Sequence, residues 1–370
     1  MTTSTNSTIP VAASENQRSE SFRILHGFPT GPVLALWRNF LSSSDFPTHY
    51  AAPEFFLEPI LRKTKGFAVL SLSGERVTGV LTGIHDGDHI QSGLSVRPQI
   101  AFLRRADRQR AMANLLTGLL TEAVSAKLVD LFVWSGMEGF VGARFRQRPC
   151  EGVVMLDLSR GLDALFRKFS ENKRTNIRKA IKYGVTVAPA KNDGEISAYY
   201  HVYVEWSRRK HLPIQEEEEF RENFGLTNNR LLLLARYEGK IIAGVVIRFC
   251  PSGIMEYAAN SSLESALRLR PNDLLHWRAI EWACREGLSH YSLGGAHLFL
   301  RKFGGEIVST TRCRLDLSTL RGYTLRDWLA EKVDQGRMQL PPGLLAKGRS
   351  WRYQVAAKLS TYATRFRPTC

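Results

Sequence analysis

The thirteen residues NKRTNIRKAIKYG, positions 172–184, include five Lys or Arg. Arg174 and Arg178 stand four apart, which places both on one face of a helix. Guanidinium groups hold phosphate or carboxylate through paired charge-assisted hydrogen bonds. The chemistry on offer is therefore the holding of an anion. Phe166, Phe169, Ile177, Ala180 and Ile181 form the apolar stripe expected to dock this helix, with the cations turned outward. Spacing alone leaves two readings open: a solvated basic face, the commoner fate of a charge run, and an anion-binding helix.

A second candidate is RLRPNDLLHWRAIEW. Pro271 marks a helix start just after a strand, and the free first-turn N–H groups of such a helix attract anions. The Pro271–Leu274 start, with Asn272 and Asp273 inside it, is a candidate phosphate site, and Arg268 and Arg270 stand just upstream. The alternative is ordinary helix entry with solvated arginines. In RKFGGE, Arg301 or Lys302 beside the Phe-Gly-Gly turn either faces a reaction site or sits in a solvated turn. GxSxG, GxxxxGK[ST], HExxH and GxGxxG are all missing, and the histidines show no metal spacing. Hydrolase, kinase and metalloenzyme readings lose most of their support, and no metal is expected.

These residues need a scaffold. The chain has 370 residues, room for two domains, with 44% hydrophobic residues and a net charge of +16. The positive excess favours anionic partners: nucleic acid, phosphorylated cofactors or an anionic membrane surface. Five scattered cysteines without a CxxC point to a reducing cytoplasm rather than a disulfide framework or zinc site. The N-terminus lacks the basic and apolar regions of a secretory signal, and no uninterrupted apolar run predicts a transmembrane helix.

Residues 1–20 are rich in Ser, Thr and Asn and are expected to be disordered. A first block follows: a helix at VLALWRNFL, strands at GFAVLSLS, RVTGVLTGIHDG and HIQSGLSV, a long helix at 106–128 and a buried strand VDLFVW. A second block repeats that order. It has a strand GVVMLDLS, one helical stretch over 162–182, a helix GEISAYYHVYVEWSRRK and an antiparallel meander RLLLLARY, KIIAGVVIRF, GIMEYAAN. The Pro271 helix and a strand LSHYSLGG complete it. The repetition predicts an α/β protein made of two copies of one unit, 21–150 and 151–320, with a basic helical tail at 321–370. Within the tail, Trp351, Tyr353, Tyr362 and Phe366 among cations fit either a membrane or nucleic-acid contact or a packed helix.

Taken together, the segments resemble the Fem-like branch of the GNAT acyltransferase superfamily, which includes BioF2-like and CelD-like acetyltransferase domains. Arg174, Asn176, Ile177, Arg178, Ala180, Gly184 and Val185 match the basic helix that opens the second domain of that branch. Pro271, Leu274, Leu275, Trp277, Ala279 and Ile280 match its Pro-x-x-Leu-Leu-x-Trp-x-Ala-Ile helix, and EGLSHYSLGG is similar to its Tyr-Asp-Leu-Gly-Gly strand. The match is good over about 151–317 and weaker over 30–150. Two positions depart: Leu300 stands where the pattern has Lys, and Ser292 where it has Asp.

The resemblance implies two GNAT-like domains, each a mixed, mostly antiparallel sheet flanked by helices. The implied activity is acyl or aminoacyl transfer to an amine or hydroxyl. It implies acyl-CoA (acetyl-CoA) or aminoacyl-tRNA as donor. The acceptor would be anionic and of cell-envelope type: a nucleotide- or lipid-linked sugar or peptide. The resemblance carries an acceptor-phosphate role over to Arg174; Asn176, Arg178, Arg301 and Lys302 are the further acceptor-site candidates. The donor-site candidates remain those of the helix-start reading, Arg268, Arg270, Asn272, Asp273 and Leu274, since the usual GNAT phosphate loop is absent before Leu274. Glu256, His276 and Tyr257 are the general-base candidates, with a main-chain N–H near the meander for the oxyanion. The expected location is the cytoplasm, with the tail able to touch an anionic membrane. The alternative, motivated by Leu300 and Ser292, is a non-catalytic basic protein that binds tRNA or an anionic membrane.

Overall fold

The computed structural model describes residues 20–338, apart from 46, 94–96, 151, 225–228 and 252. The expectations for residues 1–19 and for the tail beyond 338, with its four aromatics, lie outside the described residues; Glu20, the last residue expected to be disordered, instead opens a strand paired with Ser73.

In chain order the first part runs β1 (Glu20–Leu25), α1 (Gly31–Ser42), β2 (Ser44–Asp45), β3 (Lys65–Ser73), β4 (Arg76–Asp86), β5 (His89–Ser92), β6 (Ile100–Leu103), α2 (Arg108–Glu122), β7 (Leu128–Trp134) and β8 (Arg146–Pro149). The second runs β9 (Val153–Asp157), α3 (Leu162–Lys168), α4 (Glu171–Lys182), β10 (Thr186–Pro189), α5 (Asp193–Lys210), α6 (Glu217–Glu222), β11 (Arg230–Tyr237), β12 (Lys240–Phe249), β13 (Ile254–Ser262), α7 (Pro271–Arg285), β14 (His290–Ser292), α8 (Leu298–Arg301) and β15 (Glu306–Val308). Then come β16 (Thr310–Asp316) and α9 (Gly322–Met338).

Two sheets result. The first follows the order β1-β3-β4-β5-β7-β16-β8, with β6 paired to β4 and β2; the second is β10-β11-β12-β13-β14-β9-β15. Each mixes a parallel pair, β5–β7 or β13–β14, with antiparallel neighbours. A helix, α2 or α7, supplies the crossover that a parallel pair requires. The expected α/β class with two mixed, mostly antiparallel sheets is thus present. β7 reads LVDLFVW because it is buried along its whole length, as a strand covered on both faces must be.

Three features differ from the expectations. The helical stretch 162–182 breaks after Lys168: Phe169 drops into the core and Ser170 caps a new helix, its side chain accepting from the Lys173 N–H. Ile181, assigned to the docking stripe, is 48% exposed, and Lys173 takes the buried position instead. β16, inside the stretch read as the second domain, pairs with β8 in the first sheet.

The chain divides into two compact units, one ending at Leu315 and one beginning at Asp316. Both sheets lie in the first. In the second, Asp316 organises the approach to α9: its carboxylate accepts from Ser318 and from the N–H and hydroxyl of Thr324. No helix among the described residues is long and apolar enough to cross a membrane.

Candidate active site

Helix α4 packs on α7 through Lys173, Ile177 and Ala180, spaced i, i+4, i+7. Lys173 is 2% exposed. Its Nζ bonds Asp273 Oδ1 and lies 3.1 Å from the Phe299 ring centre and 4.2 Å from that of Phe303. Asn176 Nδ2 reaches the other carboxylate oxygen, Asp273 Oδ2, at 2.9 Å. A desolvated cation over aromatic faces gains about 2 kcal/mol, and with Asp273 this offsets part of the cost of burial. Burial still dominates and lowers Lys173 from 10.5 to about 8, against the upward pull of Asp273.

Asp273 belongs to the first turn of α7. An aspartate there ordinarily answers the helix dipole or caps the end. Here Lys173 and Asn176 occupy both of its oxygens. The N-cap position is Arg270, held at φ 60 with no side-chain cap, and Pro271 follows. The start of α7 therefore has no side-chain cap. Arg268 and Arg270 are exposed beside it. Asn272 makes one long contact to Ser262 Oγ, 3.5 Å, and its Oδ1 is buried without a partner. The Leu274 side chain is core.

Strands β13 and β14 form a fork. They pair only over Ile254–Glu256 and His290–Ser292. Beyond Ser292 the chain turns to β9: Leu293 N–H donates to Val154 O, and Gly295 O accepts from Val154 N–H. β13 continues beside β12 with a register shift opposite Tyr257–Ala259 that leaves Ala258 unpaired in the ladder. Beyond Glu256, β13 has no strand partner on that side among the described residues, so backbone groups there can meet a ligand. Tyr257, Ala258 and Ala259 line the free edge of β13 and are at least partly exposed. Gly294, at φ 74, faces them; a Cβ there would lie 3.0 Å from Tyr257 O and 2.7 Å from Arg97 Nη2.

Arg97 comes from the first sheet's part of the chain. Its Nη2 donates to Tyr257 O at 2.9 Å, the carbonyl that β14 no longer flanks. Its Nε faces Glu256 Oε1 at 3.5 Å. Glu256 Oε2 lies 2.5 Å from His49 Nδ1. Burial pushes the Glu256 carboxyl up, but the His49 contact and the Arg97 and Arg248 guanidiniums outweigh it and hold it below its ordinary value. His49 is lowered by its own burial, so the neutral imidazole donates to an ionised carboxylate. Arg248 bonds the Tyr50 hydroxyl at 2.5 Å, and Arg230 pairs with Glu58. These contacts tie the segment 49–58 to the second sheet.

Of the three general-base candidates, Glu256 and His276 are each 1% exposed, while Tyr257 reaches the fork. Glu256 and Tyr257 are neighbours on β13, and side chains alternate along a strand. Glu256 meets His49; Tyr257 stacks edge-on against His276, ring centres 5.0 Å apart. His276 bonds the Tyr291 hydroxyl at 2.9 Å and is lowered to about 3 by burial and then by Lys173, so it stays neutral. Burial raises Tyr257 to about 12, so its hydroxyl keeps its proton.

The predicted acceptor cations spread along the surface. Arg174 donates to Arg167 O at 2.9 Å, and Arg178 lies 5.5 Å over Phe166. Arg301 Nε bonds Ala296 O, and Lys302 is exposed. Leu300, where the resembling pattern has Lys, is 2% exposed in the core. The structure joins Asn176 of the predicted acceptor set to Asp273 of the predicted donor set. Three participants were missed. Lys173 occupies the i−4 position before Ile177, a legible but outvoted signal. His49 and Arg97 carry no local signal, because both act across the two sheets.

The acetyltransferase (GNAT) domain family matches residues 167–301. No curated protein matches the sequence. Among solved structures, FemX is similar with a TM-score of 0.67 at 13% identity, covering 82% of this chain and 99% of that one. The C-terminal domain of a putative lysylphosphatidylglycerol synthetase from Agrobacterium fabrum gives 0.55 at 12% identity, covering 81% and 97%. A tandem GNAT protein from the clavulanic acid biosynthesis pathway gives 0.50 at 12% identity, covering 81% and 99%. The fork and the α7 helix lie inside the matched residues. Residues 167–301 thus match a GNAT domain, and the fold around them is similar to that of FemX and of a tandem GNAT protein.

Proposed function

We propose that the protein transfers an acyl group from acyl-CoA to an amine on an anionic, cell-envelope type acceptor. The observation that carries this reading is the fork: a parallel pair that parts after Glu256 and Ser292, beside a helix start without a side-chain cap. The acyl thioester lies along the free edge of β13. The donor phosphates meet the first turn of α7, with Arg268 and Arg270 beside them. Arg174 and Arg178 hold the acceptor's anionic group. The likeness to FemX and to the lysylphosphatidylglycerol synthetase domain supports a peptide- or lipid-linked acceptor.

In the transfer, the neutral amine nitrogen bonds to the acyl carbon and the C–S bond breaks. The departing thiolate takes the Tyr257 proton, the surplus amine proton leaves to water, and Tyr257 is reprotonated from solvent. Held at about 12, the Tyr257 hydroxyl keeps its proton and so is not a base at neutral pH.

The test uses labelled acetyl-CoA, and separately charged tRNA, with cell-envelope fractions. Transfer from acetyl-CoA supports the reading. Transfer from charged tRNA alone replaces the donor. Consumption of neither, with strong binding to anionic vesicles, overturns the enzyme assignment.

A further inference from the structure

We propose that Arg97, brought to the fork by the first sheet's part of the chain, is a catalytic residue: its guanidinium polarises the donor's acyl carbonyl and carries the oxyanion. This rests on the reading of the fork as the thioester site.

The geometry is specific. Where β14 leaves β13, Arg97 Nη2 takes the Tyr257 carbonyl, and the missing side chain of Gly294 makes the room: any Cβ there would lie 2.7 Å from that nitrogen. Glu256 stands behind the guanidinium, 3.5 Å from Nε, in turn fixed by His49. The cation is thereby aimed without being neutralised by a short bidentate pair. An arginine has five N–H donors. The Tyr257 carbonyl takes one, and Nε has no partner at hydrogen-bonding length. The side chain is 14% exposed, so it is neither sealed nor free in solvent.

Lys173 is closed under Phe299 and Phe303 against Asp273, and Arg301 bonds Ala296 O. As the amine nitrogen attacks, the carbonyl π pair moves to oxygen and Arg97 stabilises that charge. When the pair returns, the C–S bond breaks and the thiolate takes the Tyr257 proton. A fixed cation in a partly desolvated site contributes more here than in water.

The experiment compares the full chain with Arg97→Ala and Arg97→Lys, using acetyl-CoA as donor, hydroxylamine as the amine probe and thiol release as the readout. Arg97→Ala is expected to lower kcat by about 10²–10³-fold with the acetyl-CoA KM changed less than about threefold. Arg97→Lys should retain part of the rate, and ethylguanidine should restore part of it to Arg97→Ala. Calorimetric CoA binding by both variants should match the parent. An Arg97→Ala chain with unchanged kcat overturns the proposal. So does a rate loss that follows a fall in melting temperature and responds to neither ethylguanidine nor lysine. A parent chain that neither binds CoA nor releases it overturns the reading beneath the proposal; a competent parent with an indifferent Arg97→Ala overturns Arg97 alone.

Discussion

Lys173 and Asp273, a hundred residues apart, pair in the interior where the basic helix α4 meets the start of α7. The contact joins the helix expected to hold the acceptor to the helix expected to hold the donor. It also takes the Asp273 carboxylate out of competition for the first turn of α7, with Asn176 holding its second oxygen.

Removing one partner of a buried ion pair leaves the other uncompensated. Lys173→Met should therefore destabilise the fold by about 3–5 kcal/mol in denaturant unfolding. Lys173→Met with Asp273→Asn should recover much of that. A double variant no more stable than the single would show that lost packing, not stranded charge, sets the cost.

The pair also leaves a signature on the alkaline side. Lys173 is held at about 8 in the folded protein against an ordinary 10.5. Between these values the unfolded chain binds the proton and the folded chain does not, so stability rises with pH across that window. The contribution has a slope of up to about 1.4 kcal/mol per pH unit. The difference between the parent and Lys173→Met, followed from pH 7 to 11, should show it.

His276 predicts the acid side. Its folded value of about 3 lies below the ordinary 6.5. The unfolded chain again binds the extra proton in between, so stability is lost as pH falls from 6.5 towards 3. His276→Gln should flatten this limb of the stability profile, read by thermal melts at stepped pH.

Tyr257→Phe should lower kcat by about 10²-fold while leaving the donor KM nearly unchanged, as loss of a general acid does. An acyl donor whose thiol is more acidic leaves without help, so the penalty should shrink with such a donor. A penalty independent of the leaving group would remove Tyr257 from proton donation.

Arg174→Ala should raise the acceptor KM by about tenfold, one charge-assisted contact's worth, with Lys182→Ala near the parent value. Equal and trivial effects in steady-state kinetics would leave α4 as a solvated face.

By itself the sequence determined the α/β class, the doubling of the unit, the meander β11–β13, the Pro271 helix and the cation-rich α4. These depend on local periodicity, turn residues and caps, which act over a few residues and leave their pattern in the chain. Only the tertiary structure decided which α4 residue turns inward. Periodicity nominated Ile181, yet Lys173 is buried because Asp273 and two phenylalanine rings await it there. It alone also brought His49 to Glu256 and Arg97 to the fork, across separations of 207 and 160 residues. Contacts between sheets depend on how two separately patterned faces meet, and no local spacing encodes that meeting.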